Sequence, residues 1–367
     1  MTEKINIIIA SDCNYLCHAT VVMLSVLINT DNPENVFFYF LDEGIGDENQ
    51  SYLSQQICDL GSSIVFIDID KSIFESFHIS GHIKHSAYYR ILAPLILPSN
   101  MTKALYLDSD LMLLKDISKL YSMNLEDAII AAVEDSIEQD DMHMKLLNKV
   151  DRRYFNSGVL IIDLVKWREQ NITEKVFDYI KENPEKLKYW DQDALNVIFD
   201  GRWHSLPYEW NVQTAFFDSE KYCESCSNPA IVHFTTDVKP WHIYSMHPYK
   251  AEYMQYRKLT RWKDIPLLNN FLLNKLDNGG KLIIFGTGGH AKRIVEAIDH
   301  EVSYFVDNSA AKVGELLFDK VIYSPTNLLL EQKDNIAIVI GSMYVNEITT
   351  QLELMGFEKK KQIFDLH

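Results

Sequence analysis

Positive charge is scarce in this chain: 35 Lys and Arg stand against 52 Asp and Glu in 367 residues, a formal charge of -17. A surface so negative repels phosphate backbones and excludes broad nucleic-acid binding, though one locally positive or metal-bearing site for a small anion is compatible with it. Cysteine is sparse too. The five thiols, Cys13, Cys17, Cys58, Cys223 and Cys226, are odd in number and unevenly spaced, which suits free thiols in a reducing cytoplasm better than a disulfide framework. Cys223 and Cys226 form a lone C-x-x-C without the second pair of a typical zinc site. No run approaches the length of apolar residues that a membrane-spanning helix needs. The start, Met1-Thr2-Glu3-Lys4 running straight into Ile5, lacks the basic region, apolar core and cleavage signal of a secretory leader. Hydrophobic residues make up 47% and charged residues 24%, the balance of a folded globular protein, so disorder and fibrous architectures are excluded.

Short apolar runs alternate with helical patterns through the first hundred residues. Ile5 to Ala10, Val36 to Leu41 and Ile64 to Ile69 read as strands; Cys17 to Leu27 and Glu48 to Leu60 read as helices. This order predicts an α/β fold with a parallel sheet covered on both faces, continued by Ala104 to Leu107, Ile129 to Val133 and Val159 to Ile162. Between Ser205 and Trp241 the periodicity fades and aromatics crowd together, as in chain that walls a pocket. After the turn Asp277-Asn278-Gly279-Gly280, the strand Lys281 to Phe285 begins a second, smaller α/β unit. The expected organisation is one domain over 1–250, a basic-aromatic linker helix over 251–276 and a small domain over 277–367. Within residues 253–276, Arg257, Lys258, Arg261, Trp262 and Lys263 precede Leu267, Leu268, Phe271, Leu272 and Leu273. That stretch suits either an anionic membrane surface or an interdomain linker with its basic face in water, and the linker is the simpler reading.

Chemistry concentrates where strands end. Asp108-Ser109-Asp110 follows a buried strand, and two carboxylates one residue apart at such a terminus converge when the chain turns. Hard oxygen ligands of this kind suit Mg²⁺ or Mn²⁺, which can neutralise a diphosphate leaving group. His233 ends another short apolar run and is either a further ligand or a structural histidine. Lys239-Pro240-Trp241 presents a cation in a stiffened turn. Asp191-Gln192-Asp193 opens a helical pattern, where Asp is also a good helix cap. Asn156-Ser157-Gly158 before a strand allows close approach by a ligand or makes a turn.

Taken together, six segments in order resemble the family 8 glycosyltransferases, the group of bacterial lipopolysaccharide galactosyltransferases and glycogenin, over roughly residues 5 to 245. They are Ala10-Ser11-Asp12-Cys13-Asn14-Tyr15, Tyr89-Arg90, Leu107-Asp108-Ser109-Asp110, Tyr154-Phe155-Asn156-Ser157-Gly158-Val159, Trp190-Asp191-Gln192-Asp193-Ala194-Leu195-Asn196, and His233 through Lys239-Pro240-Trp241. The resemblance implies a GT-A nucleotide-sugar-binding domain with a mostly parallel sheet, using a UDP-sugar and Mn²⁺ (or Mg²⁺) to move galactose or glucose to a glycan acceptor with retention of configuration. It assigns Ala10, Asp12, Asn14 and Tyr15 to the nucleotide. Asp108, Asp110 and His233 fall to the metal, Ser109, Thr236 and Lys239 to the bound donor, and Arg90, Asn156, Ser157, Asp191 and Gln192 to the donor sugar. Asp191 and Gln192 are the expected catalytic pair beside the anomeric carbon. Thr236 replaces a common Gly and Cys13 a common acid. The competing expectation is a non-catalytic nucleotide-sugar binder or sensor.

In the tail, Gly286-x-Gly288-x-x-Ala291 lies between an expected strand and helix, the setting of a dinucleotide fingerprint, with Gly289 in the same turn and Asp307 ending the next strand. This Rossmann-like unit also resembles the N-terminal domain of bacterial sugar acyltransferases, without the hexapeptide repeats that carry acyl transfer. It is therefore expected to bind a ligand or dock rather than to act as a redox enzyme. The whole chain is expected in the cytoplasm, at the inner membrane face if 253–276 makes contact there.

Overall fold

A computed structural model describes residues 4–69, 88–135, 145–147, 149, 153–236, 238–264, 270–359, 361–364 and 366. Its contacts divide the chain into two compact units, Met1–Thr235 and Thr236–His367.

In the first unit, a seven-stranded sheet runs in the order β3 (Ser63–Asp68), β2 (Val36–Asp42), β1 (Ile5–Ser11), β4 (Lys103–Leu107), β7 (Phe155–Asp163), β6 (Ile130–Glu134), β8 (His204–Ser205). The four strands from β3 to β4 are parallel, as the alternation of strand and helix predicts. Ile7, Ile8 and Ile9 are fully buried, each side chain contributing about 1.5–3 kcal/mol. The wholly parallel sheet expected from sequence is corrected at β7, which pairs antiparallel with both β4 and β6. A strand buried on both faces is apolar throughout in either direction, so its composition does not carry its polarity.

The chain winds outward from β1 to β3 and then returns to β4 on the other side of β1. That reversal opens a crevice beyond the carboxyl ends of β1 and β4, where open α/β sheets bind ligands. Asp12 follows one of these ends and Asp108 the other. Ser109 Oγ donates to Ala10 O at 2.8 Å and ties the two ends together. A second, three-stranded sheet orders β5 (Leu111–Leu113), β10 (Ile231–His233) and β9 (Val212–Gln213). In its antiparallel register Leu111 faces His233, which brings a residue more than a hundred positions downstream against the turn holding Asp110.

In the second unit, six strands run in the order β13 (Leu316–Leu317), β14 (Lys320–Tyr323), β12 (Val302–Val306), β11 (Lys281–Phe285), β15 (Ile336–Ile340), β16 (Ile363–Phe364). All pair in parallel except the edge strand β13. Alternate residues serve two cores. Leu282, Ile284, Phe305 and Val339 pack with Leu272, Ala291 and Ile294, whereas Ile283, Phe285, Ile338 and Ile340 pack with Leu328, Ile348 and Leu352. The division between the units falls ahead of the boundary at 250/251 expected from sequence. Tyr244 lies in the first of these cores, with Val238 and Ile243 against it, so residues from 236 onward belong to the second unit. The single helix expected over 251–276 is two helices, Lys250–Arg257 and Asn270–Asp277. Leu267 and Leu268 lie outside the described residues. Tyr253, Arg257 and Thr260 are buried, while Lys258, Leu259, Arg261 and Lys263 are exposed. No described helix is long and apolar enough to cross a membrane.

His247 is buried in this unit, and its Nδ1 accepts the Tyr249 amide proton at 3.1 Å. Burial lowers the imidazole from its ordinary value to about 4. The fold thus favours the neutral ring, and the stability this represents is present above the unfolded-state value of roughly 6.5 and is lost as pH falls through 4. Acidification across that window is expected to cost the second unit up to about 3 kcal/mol. Hydrogen exchange in peptides spanning 244–256 should report the loss, and His247→Gln should flatten it; a pH-independent exchange rate in that window would contradict the assignment.

Candidate active site

Asp108 and Asp110 flank the turn between β4 and β5, and His233 reaches them from β10. One donor atom from each of the three lies within 4.8 Å of the others, the one such group of three or more acids, histidines or cysteines among the described residues. His233 Nε2 stands 3.2 Å from Asp110 Oδ1 and 3.8 Å from Asp108 Oδ2. Its Nδ1 lies 2.9 Å from Asn211 Oδ1. Since that carboxamide oxygen only accepts, Nδ1 carries the proton and Nε2 turns its lone pair toward the carboxylates. Asn211 is held in turn, its Nδ2 donating to Asn156 Oδ1 at 2.9 Å.

Gly158 explains how so much fits there. A Cβ at this position would meet His233 Cε1 at 2.3 Å and Asp108 Oδ2 at 2.6 Å, so only glycine lets β7 pass behind the cluster.

Arg90, on the helix Tyr89–Ile96, is the buried cation joining this cluster to the helix Trp190–Ile198. Its Nη2 donates to Asp108 Oδ1 at 2.8 Å, its Nε lies 3.1 Å from Asp191 Oδ2, and its Nη1 donates to Ser157 O and Oγ at 2.6 and 2.7 Å. Tyr106 OH donates to Asp108 Oδ1 at 3.0 Å. Burial drives the Asp191 carboxyl up to about 6, an effect that Arg90 opposes and the Asp108 charge reinforces. Three carboxylates, Asp108, Asp110 and Asp191, against one guanidinium leave two uncompensated negative charges, the formal complement of one divalent cation.

Gln192 lies on the other wall. Its Oε1 accepts the Ser157 amide at 2.9 Å and its Nε2 donates to Asp135 Oδ2 at 3.0 Å, fixing which end of the amide faces which way. Asp135 Oδ2 also accepts from Asn156 Nδ2 at 3.0 Å. Arg90, Asp108, Ser157, Asp191 and Gln192 therefore form one bonded array, as their spacing in sequence could not show.

Asp193, two residues on, is spent on structure. It accepts from Tyr154 OH at 2.7 Å and from the Lys188 and Tyr189 amides at 2.7 and 2.6 Å, which makes it the cap of its own helix. Asn196 binds the Phe155 amide and carbonyl, both at 2.9 Å, and fastens that helix to β7. At the end of β1, Asp12 Oδ1 accepts the Tyr15 amide at 2.9 Å and Oδ2 accepts from Asn14 at 3.0 Å, a turn that starts the helix Leu16–Asn29.

Thr236 and Lys239 fall in the second unit. There Thr236 Oγ1 donates to Val238 O at 3.3 Å and the Lys239 amide donates to His242 Nδ1 at 3.1 Å. All five cysteines are free thiols. Sequence reasoning missed Asn211, Asp135 and Tyr106. Asn211 sits inside the aromatic stretch already singled out as a pocket wall, and a polar residue between Trp210 and Val212 was the available signal.

A sheet reversing beside β1, two carboxylates at the return strand's end and a histidine closing on them define a glycosyltransferase of the GT-A class. Residues 6–244 match the model described as glycosyl transferase family 8, and the chain belongs to that family. General stress protein A of Bacillus subtilis (strain 168) is 38% identical over 283 residues, covering 73% of this chain and 98% of that one. The lipopolysaccharide 1,2-glucosyltransferase of Escherichia coli (strain K12) is 28% identical over 275 residues, 72% of this chain and 80% of its own. Among solved structures, galactosyltransferase LgtC, in complex with donor and acceptor sugar analogs, superposes with a TM-score of 0.62 at 25% identity, covering 71% of this chain and 98% of that one. Residues 278–363 match a model described as C2185-like, N-terminal. The likeness of the Gly286 turn to sugar acyltransferases has no counterpart in that description.

Proposed function

We propose that the first unit transfers a hexose, galactose or glucose, from a UDP-sugar to a glycan acceptor with retention of anomeric configuration, in the assembly of cell-surface glycans. The observation that carries this reading is the cluster of Asp108, Asp110 and His233 linked through Arg90 to Asp191 and Gln192. The names of the relatives, a glucosyltransferase and a galactosyltransferase, support the hexose.

The donor set fits Mn²⁺ or Mg²⁺: two hard carboxylates, an imidazole whose tautomer is fixed by Asn211, and the charge deficit described above. A divalent ion held there would neutralise the departing diphosphate. The chain's own groups do the rest. Arg90 holds Asp108 and Asp191 at fixed positions and lets both remain ionised beside one another. Asp191 and Gln192 stand on the side assigned to the anomeric carbon, Gln192 held by Ser157 and Asp135. Pre-set dipoles of this kind cost little reorganisation when charge develops on the sugar. Asp12, Asn14 and Tyr15, in the turn beyond β1, would receive the nucleoside, with the Tyr15 ring available for stacking on the base. Ala10 and Ser109, bridged at the crevice, complete that wall.

Release of UDP from a panel of UDP-hexoses, with Mn²⁺ and then with excess chelator, tests the reading. Slow release from one hexose donor, abolished by chelator, is expected. Undiminished release under chelation, or none from any donor even with oligosaccharide acceptors, would overturn it.

A further inference from the structure

The second unit has its own crevice. The chain runs from β11 outward to β12 and β14, then returns to β15 on the other side of β11, so a second reversal point lies beyond the carboxyl ends of β11 and β15. A cavity of about 730 Å³ opens there, within the range of small-molecule sites and far larger than a lone phosphate requires. Its floor is built from close backbone contacts. Gly286 has φ = +108° and a Cβ on it would meet Gly341 O at 2.7 Å; a Cβ on Gly341 would meet Ala291 Cα at 2.8 Å. The two strand ends and the start of the helix Gly289–Ala297 therefore approach as only glycines allow.

Cations stand around this floor. Arg293 reaches back along the helix, its Nη2 3.8 Å from where a Gly289 Cβ would lie, so the guanidinium covers the glycine turn. Lys312 approaches from the opposite rim and donates to Thr287 Oγ1 at 2.9 Å and Asp307 Oδ2 at 3.1 Å. In a chain of charge -17, two cations facing a glycine turn at a helix start are a local reversal of sign suited to phosphate.

Asp307 narrows the ligand further. A dinucleotide site needs this acid to accept from the ribose diol. Here Oδ1 already accepts from the Ser309 amide at 2.8 Å, and Oδ2 accepts from both Thr287 and Lys312. Of about four lone-pair positions on a carboxylate, three are occupied, which leaves room for one hydroxyl rather than two.

We propose that the second unit binds a mononucleoside diphosphate, its phosphates on the Gly286–Gly289 turn between Arg293 and Lys312 and one ribose hydroxyl on Asp307, with no role in hydride transfer. The site is separate from the donor crevice of the first unit and independent of a divalent metal.

Titration calorimetry on the full-length chain carrying Asp110→Ala, in excess chelator, isolates it, with UDP, ADP and NAD⁺ as probes. One-to-one binding of UDP or ADP is expected, at least ten-fold tighter than NAD⁺. Arg293→Glu should weaken it ten-fold or more, while Mn²⁺-dependent UDP release by the otherwise wild-type chain carrying Arg293→Glu stays unchanged. Lys312→Ala, a milder change, should weaken binding several-fold if Arg293→Glu compromises folding. No binding of either diphosphate, binding that survives both substitutions, or a preference for NAD⁺ would each overturn the proposal. Loss of UDP release in the unsubstituted chain would instead count against the transferase reading alone.

Discussion

Asp110→Ala is expected to lower the rate of UDP release by at least about a hundred-fold while leaving the fold intact. Asp110 Oδ1 faces His233 Nε2 across 3.2 Å and its side chain is partly open to solvent, so its removal empties a donor position without opening the core. The backbone around it is held independently, since Phe234 N donates to Asp110 O at 3.0 Å and Leu111 pairs with His233 in the small sheet. A nucleotide-sugar sensor would respond differently, losing affinity but having no turnover to lose. Steady-state release assays beside Mn²⁺ titration calorimetry separate the two, and a variant that keeps more than a tenth of its rate and its full metal affinity would refute the role given to this carboxylate.

Gly158→Ala should be nearly as damaging, by a steric route. The added methyl would sit 2.3 Å from His233 Cε1 and 2.6 Å from Asp108 Oδ2, and both side chains are already fixed, one by Asn211 and the other by Arg90 and Tyr106. Relief requires a displacement on the order of 1 Å in the cluster, which costs about a hundred-fold in rate when reacting groups are misplaced. Overpacking adds about 1–3 kcal/mol of destabilisation. Leu160→Ala in the same strand is the control: fully buried, it should cost about 2–5 kcal/mol yet leave the rate nearly unchanged below its melting temperature. If the two variants lose rate in proportion to their stability, the cluster is not what Gly158 protects.

The contrast between Asp191 and Asp193 shows how far the sequence could be read. Both sit at the start of one helix, and both are carboxylates beside an aromatic pair. Only the fold reveals that Asp193 turns back to the Lys188 and Tyr189 amides while Asp191 turns to Arg90. Strands such as Ile5–Ser11 were legible because burial on both faces demands an unbroken apolar run. The pairing of β5 with β10 was not, because it joins three-residue strands more than a hundred positions apart, with no periodicity to announce it. Asn211 was invisible for a related reason: its role is to set a proton on His233, and such partnerships leave no local pattern. The resemblance to family 8 bridged these gaps by supplying the order of the segments, which local physics does not.

The position of His233 has an evolutionary consequence. The last of the three clustered groups is encoded two residues before the point where the first unit ends. Recombination downstream of Thr235 can therefore exchange the entire following module without interrupting any strand that carries the cluster. A lineage built this way can change the metabolite its enzyme answers to while inheriting the same carboxylate and imidazole groups, so the appended unit is the part of the gene expected to vary in kind, and the upstream strands the part expected to vary only in detail.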